Sequence, residues 1–260
     1  MSSSARILQV LGLFGAGHEV VTPERAMRAL NISRATAYRY LGDLAAAGFV
    51  ERVPGRGYAL GPAIVELDRQ VRLADPLLQA SRDELHRLAE DTGGTALLCG
   101  YYGAKVLCIH EEPGRRGPPA VSYERGRAMP LYAGATSKII LAFLPEREIE
   151  QLWARERKAI RAAGLPDSLP ALKALLARLR ADRLCVAQGE LDPGALGMAV
   201  PILHGRQVRG SLSVVLSATA VRPAQYKAMT QKLFAALARI ENRLEEARAR
   251  MRRGTPEPQR

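Results

Sequence analysis

The stretch of residues 22–60 reads TPERAMRALNISRATAYRYLGDLAAAGFVERVPGRGYAL, and its capping, apolar and turn residues decide the fold of the first part of the chain. Thr22 and Pro23 supply an N-cap and a first-turn proline, which predict the start of a short helix. The turn that follows interrupts this helix, and either Asn31 or Ser33 caps the next one. Two helices separated by a three-residue turn are therefore expected here.

The second of these helices is predicted for residues 34–47. Its apolar stripe has helical spacings of three and four: Ala37, Tyr40, Leu41, Leu44 and Gly48. Four side chains near its start lie off that stripe: Arg34, Thr36, Tyr38 and Arg39. This is helix-turn-helix geometry, and such a helix fits the major groove, where arginine can fork onto guanine and Thr or Tyr can reach phosphate. The alternative is a solvated helix face with no ligand.

A β-hairpin is predicted directly after this helix. Residues 49–53 and 58–60 have strand composition and flank the turn sequence Pro-Gly-Arg-Gly. The hairpin makes the unit a winged variant. Arg52 and Arg56 would lie on or near the wing, within reach of the phosphate backbone or the minor groove.

The segments SRATAYRYL (33–41), GFVER (48–52) and GYALG (57–61) resemble the DNA-binding half of the IclR family of bacterial transcription regulators. The resemblance implies that the third helix of the chain enters the major groove and that the wing touches the backbone. It assigns DNA contacts to seven residues: Ser33, Arg34, Thr36, Tyr38, Arg39, Arg52 and Arg56.

Two further helices flank this unit. The first helix is predicted from apolar residues at helical spacing: Ile7, Leu8, Leu11 and Phe14. A linker helix runs to Ala74 and is ended by Asp75-Pro76. It packs either on its own chain or against its copy, and the resemblance implies dimer contacts. Because one helix reads few base pairs, we expect a palindromic operator on double-stranded DNA and a homodimer or dimer of dimers.

The larger remainder predicts an α+β unit. Strands are expected at 95–102, 105–111, 121–124, 184–187, 198–204 and 208–216. Helices are expected up to Thr92 and at 139–144, 146–161, 169–180 and 223–251, the last packing on the sheet or forming a coiled subunit contact. Short turns between sequential strands indicate an antiparallel sheet. Residues 113–119 are predicted to be a loop.

Residues 130–144, 189–202 and 210–214 resemble the effector-binding half of the same family, which implies a GAF-like sheet with a small molecule on its concave side. Many members have His at the position of Tyr132 and Gly before the lysine, where this chain has Ser137. The predicted effector contacts are Cys99, Tyr101, Met129, Tyr132, Ala135, Thr136, Ser137, Cys185, Gly197, Ser211 and Ser213.

The chemistry of these residues favours an organic or aromatic carboxylate as the effector. Residues 134–137 at a helix start offer N–H groups, two hydroxyls and the positive end of the helix dipole. Ser211 and Ser213 share a strand face, as do Cys99 and Tyr101. A neutral effector is the alternative, and the hydroxyls can also serve only as caps or local hydrogen-bond partners.

Composition and net charge limit the functional classes to which the protein can belong. The 260 residues carry a formal net charge of +12, which favours polyanions as partners. We expect three reduced cysteines, no metal, no cofactor, no catalytic residues, no signal or membrane segment and a cytoplasmic location. The alternatives are an enzyme with Cys99 or Cys185 as nucleophile and His110 or His204 as base, or a ligand-independent DNA-binding protein. The expected domains are 1–61 (winged helix-turn-helix), 62–75 (linker helix), 76–252 (effector binding) and 253–260 (basic tail).

Overall fold

The computed structural model of the chain describes residues 3–15, 17–103, 105–116 and 121–254. The chain divides into two compact units, Met1–Asp75 and Pro76–Arg260. Residue 104 of the predicted hairpin turn, residues 117–119 of the predicted loop and residues 255–260 of the predicted tail lie outside the described residues.

The first unit is a three-helix domain with a hairpin and a further helix. Its elements are α1 (Ser3–Leu11), α2 (Pro23–Leu30), α3 (Arg34–Ala46), β1 (Val50–Val53), β2 (Gly57–Leu60) and α4 (Pro62–Ala74). The Thr22 hydroxyl accepts the Arg25 N–H at the start of α2, and Asn31 ends α2 in the left-handed conformation. The predicted stripe of α3 forms the centre of the core, where Ala37, Tyr40, Leu41 and Leu44 are buried.

The pattern predicted for the first helix is wrong in part. Leu8 is 66% exposed, whereas Val10 is fully buried. Helix α1 also ends at Leu11, so Phe14 packs on the core from the following turn. The face that α1 presents to α2 and α3 is therefore rotated from the predicted one.

The second unit is an antiparallel sheet between two layers of helices. Its elements are α5 (Pro76–Thr92), β3 (Thr95–Tyr102), β4 (Lys105–Glu112), β5 (Ala128–Met129), α6 (Gly134–Ala142), α7 (Glu146–Ala162), α8 (Leu169–Asp182), β6 (Cys185–Gln188), β7 (Ala195–His204), β8 (Gln207–Ser217), a 3-10 turn (Pro223–Gln225) and α9 (Tyr226–Gly254). The strand order is β5-β4-β3-β8-β7-β6, and every pairing is antiparallel. The α+β class is confirmed.

Alternate residues of the central strands face different layers. Ala96 and Leu98 of β3 belong to the core beneath α5 and α9, whereas Leu97 and Cys99 belong to the core beneath α6, α7 and α8. The buried stripe of α9 lies in the first of these cores, so this helix packs on its own sheet.

Several elements differ from the sequence prediction, including β7, which begins at Ala195 and not at residue 198, and β5, which was not predicted. Residues 121–124 do not form a strand, because the Ser122 N–H donates to the Asp192 carboxylate instead of joining a ladder. Helix α6 begins at Gly134, five residues before the predicted start, and α9 continues to Gly254, so the predicted tail begins inside a helix.

A buried carboxylate joins α5 to α9. Glu84 is fully buried, and its carboxylate accepts from Arg239 Nε at 2.6 Å and from Arg87 at 3.3 Å. Arg243 completes the cluster at 3.2 Å. Because a buried carboxylate is costly unless it is paired, these arginines fix α9 against α5.

Candidate functional site

The start of α3 presents the predicted DNA contacts to solvent. Ser33 is the N-cap of α3, and its hydroxyl accepts the Thr36 N–H at 3.2 Å. The two hydroxyls also bond each other at 2.8 Å. Arg34, Tyr38 and Arg39 are exposed. The structure thus brings these five residues together on one solvent-facing turn, with Ser33 and Thr36 also serving as cap residues.

The arginines of α3 are held by neighbouring rings and by one acid. The Arg34 guanidinium lies 5.6 Å from the centre of the Tyr38 ring and 3.3 Å from the Glu24 carboxylate. Arg39 lies 5.4 Å from the centre of the Tyr40 ring. The Arg34–Glu24 pair is solvent-exposed and therefore weak, so a phosphate or a base edge can replace it.

The wing places Arg52 and Arg56 on the exposed hairpin of β1 and β2. Val21 and Tyr58 exchange two backbone hydrogen bonds, of 2.8 and 3.0 Å, which attach the hairpin to the segment before α2. This fixed attachment holds the wing beside the helices of the same unit. Both arginines lack an ion pair within the described part of the chain.

Within the second unit, α6 carries the central predicted effector residues. All nine residues of α6 are buried. The Thr136 and Ser213 hydroxyls bond each other at 2.9 Å, and the Ser211 hydroxyl donates to the Thr136 carbonyl at 3.2 Å. The predicted hydroxyl cluster exists, but its members already satisfy one another and fix α6 on β8.

Tyr123 completes the hydrogen bonds at the start of α6. Its hydroxyl donates to the Ala133 carbonyl at 2.8 Å, and the Ser137 N–H donates to the same hydroxyl at 3.1 Å. The Ser137 hydroxyl lies 2.8 Å from it. Burial raises the pKa of Tyr123 well above its ordinary value, so the phenol stays neutral.

A carboxylate of the protein itself occupies the N-terminus of α6. Glu190 accepts the Gly134 N–H at 3.3 Å and forms an ion pair with Lys138, whose side chain is only 10% exposed. The next residue but one, Asp192, accepts both the N–H and the hydroxyl of Ser122, at 3.0 and 2.5 Å. The β6–β7 loop therefore closes over the helix start through two carboxylates.

A small cavity of about 30 Å³ lies under this loop. Ala135, Thr136 and Gly197 line it, together with Glu190 and Leu191. The N–H groups of Ala135 and Thr136 belong to the first turn of α6, and neither has an acceptor within the described ranges. The cavity thus combines free N–H donors, the helix dipole and a nearby lysine, which is an anion-binding combination.

The other predicted effector residues surround this cavity or lie away from it. Cys185 packs with Ala135 beneath it, and Cys99 and Met129 are buried in the core under α6. The Tyr101 hydroxyl donates to Glu148 at 2.7 Å and the Tyr132 hydroxyl to Glu156 at 3.3 Å, so both tyrosines contact α7. Neither lines the cavity under the β6–β7 loop.

Sequence reasoning missed the residues that close the cavity. These are Tyr123, Ala187, Gly189, Glu190, Leu191, Asp192, Ala195 and Val215. Gly134 has a φ of +74°, and a Cβ there would lie 2.6 Å from the Leu191 side chain. A glycine before a Thr-Ser pair was a usable local signal, whereas the carboxylates of the β6–β7 loop carried none.

The three cysteine thiols are poor candidates for a nucleophile. All three are buried and free. Burial raises the pKa of Cys185 to about 11 and that of Cys99 well above its ordinary value. The neutral thiol is therefore favoured, and it is the thiolate that reacts. Across the described ranges, His, Cys, Asp and Glu side chains form no group of three or more that could hold a metal ion.

In the part of the chain that the structure describes, every helix is too short or too polar to cross a membrane.

Comparison with known proteins identifies both units. The family model described as the IclR helix-turn-helix domain matches residues 3–54, and the one described as the bacterial transcriptional regulator IclR C-terminal matches residues 73–242. A probable HTH-type transcriptional regulator, ArcR of Halobacterium salinarum, is 28% identical over 235 residues, which are 88% of this chain and 89% of the relative.

Two solved structures show the same fold over nearly the whole chain. A putative IclR transcriptional regulator from Silicibacter sp. TM1040 has a TM-score of 0.80 and 27% identity, covering 94% of this chain and 96% of the other. An IclR homologue from Microbacterium hydrocarbonoxydans complexed with 4-hydroxybenzoate has a TM-score of 0.77 and 21% identity, covering 94% and 100%. The chain belongs to the IclR family of transcription regulators and carries that family's DNA-binding helix-turn-helix domain.

Proposed function

We propose that this regulator represses transcription from a palindromic operator and is controlled by a small organic carboxylate. Residues 1–61 would bind DNA, 62–75 would form the linker and 76–252 would bind the effector. Repression requires only that the bound protein occlude a promoter, whereas activation also requires a contact with the polymerase. A partner that is chromosomal DNA also favours a cytoplasmic location in a bacterial cell.

The DNA contacts are proposed at the exposed start of α3 and on the wing. Arg34 and Arg39 would read base edges in the major groove, with Tyr38 beside them, because these side chains are exposed on the turn that enters the groove in helix-turn-helix proteins. Arg52 and Arg56 would contact phosphates. The backbone contacts set affinity and register, and the α3 contacts set sequence preference.

Binding to an operator fragment and to random DNA of equal length tests this assignment. Arg34→Ala and Arg39→Ala should each weaken operator binding by about 1–3 kcal/mol and random binding much less. Arg147→Ala, an exposed arginine on α7, is the matched control. Equal losses on both DNAs would reassign the α3 arginines to phosphate contacts.

We propose that α4 joins two chains. Helix α4 has no buried residue, and it exposes four large apolar side chains: Val65 (71%), Leu67 (51%), Val71 (59%) and Leu73 (56%). A second copy of α4 would cover Leu67 and Val71, which are four residues apart on one side of the helix, and would place two recognition helices on two half-sites. Val71→Glu should shift the sedimentation mass toward the monomer, and an unchanged mass would place the dimer contact elsewhere.

The effector is proposed to bind at the N-terminus of α6, in the place that Glu190 takes now. One observation carries this proposal: the Glu190 carboxylate accepts the Gly134 N–H and pairs with Lys138, so the helix start already holds a carboxylate. A ligand carboxylate has the same charge and geometry and would also use the N–H groups of Ala135 and Thr136. The β6–β7 loop would move to admit it, since about 30 Å³ is too small for an organic acid.

The first probe follows from the relative that is complexed with 4-hydroxybenzoate. We expect 4-hydroxybenzoate or another small carboxylic acid to raise the melting temperature of the protein and to change its affinity for the operator. Corresponding amides and alcohols, which lack the charge, are the matched controls. A response to the neutral compounds alone would replace the carboxylate with a neutral effector.

The two alternative functions predict other outcomes in the same assays. A ligand-independent DNA-binding protein would show no effector-dependent change in operator affinity, and an enzyme would consume the ligand. The burial of Cys99 and Cys185 and their raised pKa favour the regulator over a cysteine-dependent enzyme.

A further inference from the structure

A second and much larger cleft lies at the other end of α6. Its walls are the start of α7, one face of α8 and the hairpin that joins β7 to β8, and its volume is about 780 Å³. It shares no lining residue with the small cavity under the β6–β7 loop. The nine residues of α6 separate the two by about 13 Å, the length of that helix. We call it the α7–α8 cleft.

The acidic groups of the α7–α8 cleft are already paired. The Glu146 carboxylate bonds Lys173, which lowers the pKa of Glu146. The Glu148 carboxylate accepts the Tyr101 hydroxyl at 2.7 Å. The phenol is neutral, so Glu148 keeps its charge, but the lining has four cations, Lys173, Arg180, Arg206 and Arg209, against these two acids.

Three arginines line the same cleft without a carboxylate of their own. Arg206 and Arg209, on the β7–β8 hairpin, form no ion pair or side-chain hydrogen bond within the described ranges. Arg180 Nε donates to the neutral carbonyl of Ala142 at 2.7 Å. The positive charge of Arg180 also lowers the pKa of Glu146, but by less than the ion pair with Lys173 does. The cleft therefore carries an excess of positive charge.

The floor of the cleft is apolar. Leu144, Ile149, Leu176 and Val208 line it and are nearly buried, between 1% and 7% exposed. Phe143 adds an aromatic side chain. A hydrophobic floor below a rim of guanidinium groups matches an amphiphilic anion, with its apolar body on the floor and its charge at the rim.

We propose that the α7–α8 cleft is a second ligand site, which binds a small organic anion with an apolar body. Guanidinium forks bind carboxylate and phosphate equally well in geometry, so a carboxylic acid and a phosphate ester are the two sources of this anion. The site is independent of the proposed effector cavity, and a ligand in it would contact α7, α8 and the β7–β8 hairpin.

Calorimetry on the full chain tests the proposal with three probes: benzoate, phenyl phosphate and inorganic phosphate. We expect saturable binding of benzoate or phenyl phosphate, and the tighter of the two identifies the anion class. In the double variant Arg206→Ala/Arg209→Ala this binding should weaken about tenfold or more, the loss expected for one or two charge-assisted hydrogen bonds. Both arginines are exposed, so the fold should survive their removal.

Two matched variants separate this site from the rest of the protein. Arg147→Ala removes an exposed arginine outside the cleft and should leave the binding unchanged. Gly197→Val fills the small cavity, since an added Cβ would lie 3.4 Å from that of Ala135; it should remove only the probe binding at that cavity and leave the binding that depends on Arg206 and Arg209 unchanged. Loss of binding in Gly197→Val alone would assign the anion to the effector cavity and overturn the proposal.

Three other results would also refute it. If none of the three probes bound saturably, the cleft would not be a ligand site. If inorganic phosphate bound as tightly as phenyl phosphate, the apolar floor would contribute nothing to the affinity. A change in oligomeric mass in the arginine variant, without any probe binding to the wild type, would make the cleft a contact with a second copy of the chain.

Discussion

Replacing Glu190 by glutamine separates the two roles that its carboxylate has in the β6–β7 loop. The carboxylate accepts the Gly134 N–H at 3.3 Å and pairs with Lys138. Glutamine keeps the length and one acceptor oxygen but removes the charge. The variant therefore weakens the closure of the loop and leaves the Lys138 ammonium without its carboxylate.

The expected loss of stability follows from the burial of the pair. The Lys138 side chain is 10% exposed and that of Glu190 is 31% exposed, so the pair is only partly solvated. A hydrogen bond to a charged group contributes about 1.5–3 kcal/mol, and for a unit of this size each kcal/mol shifts the melting temperature by roughly 2–4 °C. We expect Glu190→Gln to melt about 3–12 °C below the wild type.

The same substitution should strengthen the binding of a carboxylate effector. The ligand no longer competes with Glu190, and it gains Lys138 as a partner, so the dissociation constant should fall about tenfold, or about 1.4 kcal/mol. Calorimetry with the acid that responds in the thermal-shift screen measures this constant. The added ligand should also recover most of the lost melting temperature.

The control is Glu90→Gln, which removes a carboxylate from a pair with His86 at 3.6 Å, in which the two side chains are 60% and 65% exposed. Such pairs contribute about 0–1 kcal/mol, so this variant should melt near the wild type and bind the effector equally. If Glu190→Gln bound the acid more weakly than the wild type, Glu190 would be a ligand contact and not a competitor, and the reasoning would be wrong.

Three further predictions concern stability and thiol reactivity. Thr136→Val and Ser213→Ala should each lower the free energy of unfolding in denaturant by about 1–3 kcal/mol, because each leaves a buried hydroxyl without its partner. The double variant should lose less than the sum of the two single losses. Additive losses would exclude the 2.9 Å hydrogen bond between these hydroxyls. The double variant Arg239→Ala/Arg243→Ala should destabilise the second unit by about 3–5 kcal/mol, since it leaves the fully buried Glu84 carboxylate with Arg87 alone, and a melting temperature within a degree of the wild type would contradict this. All three thiols should resist a disulfide reagent at pH 8 in the native protein, because all three are buried and the raised pKa of Cys99 and Cys185 keeps those two neutral. All should react fully in denaturant; fast native labelling would refute their burial.

The sequence predicted best those elements whose signals are local. Helix α2 begins where Thr22 and Pro23 place it, because an N-cap and a first-turn proline act within one turn. The stripe of α3 is buried as predicted, since spacing alone decides which side of a helix faces its neighbours. The exposed residues at the start of α3 follow from the same pattern.

Helix α6 shows why the rest of the site could not be predicted. Its N-cap residue, Ala133, offers no side-chain hydrogen bond, so the sequence contains no capping signal there. The Gly134 N–H is satisfied by Glu190, 56 residues later, and the Ser137 N–H by Tyr123, 14 residues earlier. Partners at such separations depend on the strand order of the sheet, which periodicity does not encode.

The hydroxyl cluster shows the same limit at closer range. The alternation of Ser211 and Ser213 correctly places both side chains on one face of β8. The alternation does not predict the hydrogen-bond partner of these serines. In the structure that partner is Thr136 of α6, and the two side chains do not face an open pocket. Residues predicted as ligand contacts thus serve first to hold the helix whose N-terminus is the proposed binding site.

An internal carboxylate at the effector site also sets how the regulator would respond. Glu190 belongs to the same chain and lies within hydrogen-bond distance of the Gly134 N–H, so it competes at an effective concentration in the millimolar range or above. A ligand carboxylate must exceed this competition through contacts that Glu190 lacks, which include the N–H groups of Ala135 and Thr136 and the packing of its own apolar body. The protein would therefore distinguish its effector from abundant simple acids such as acetate by the part of the molecule that is not the carboxylate. The free energy available to change operator affinity is bounded by the same difference, because a ligand shifts an equilibrium only by its preference for one state over the other.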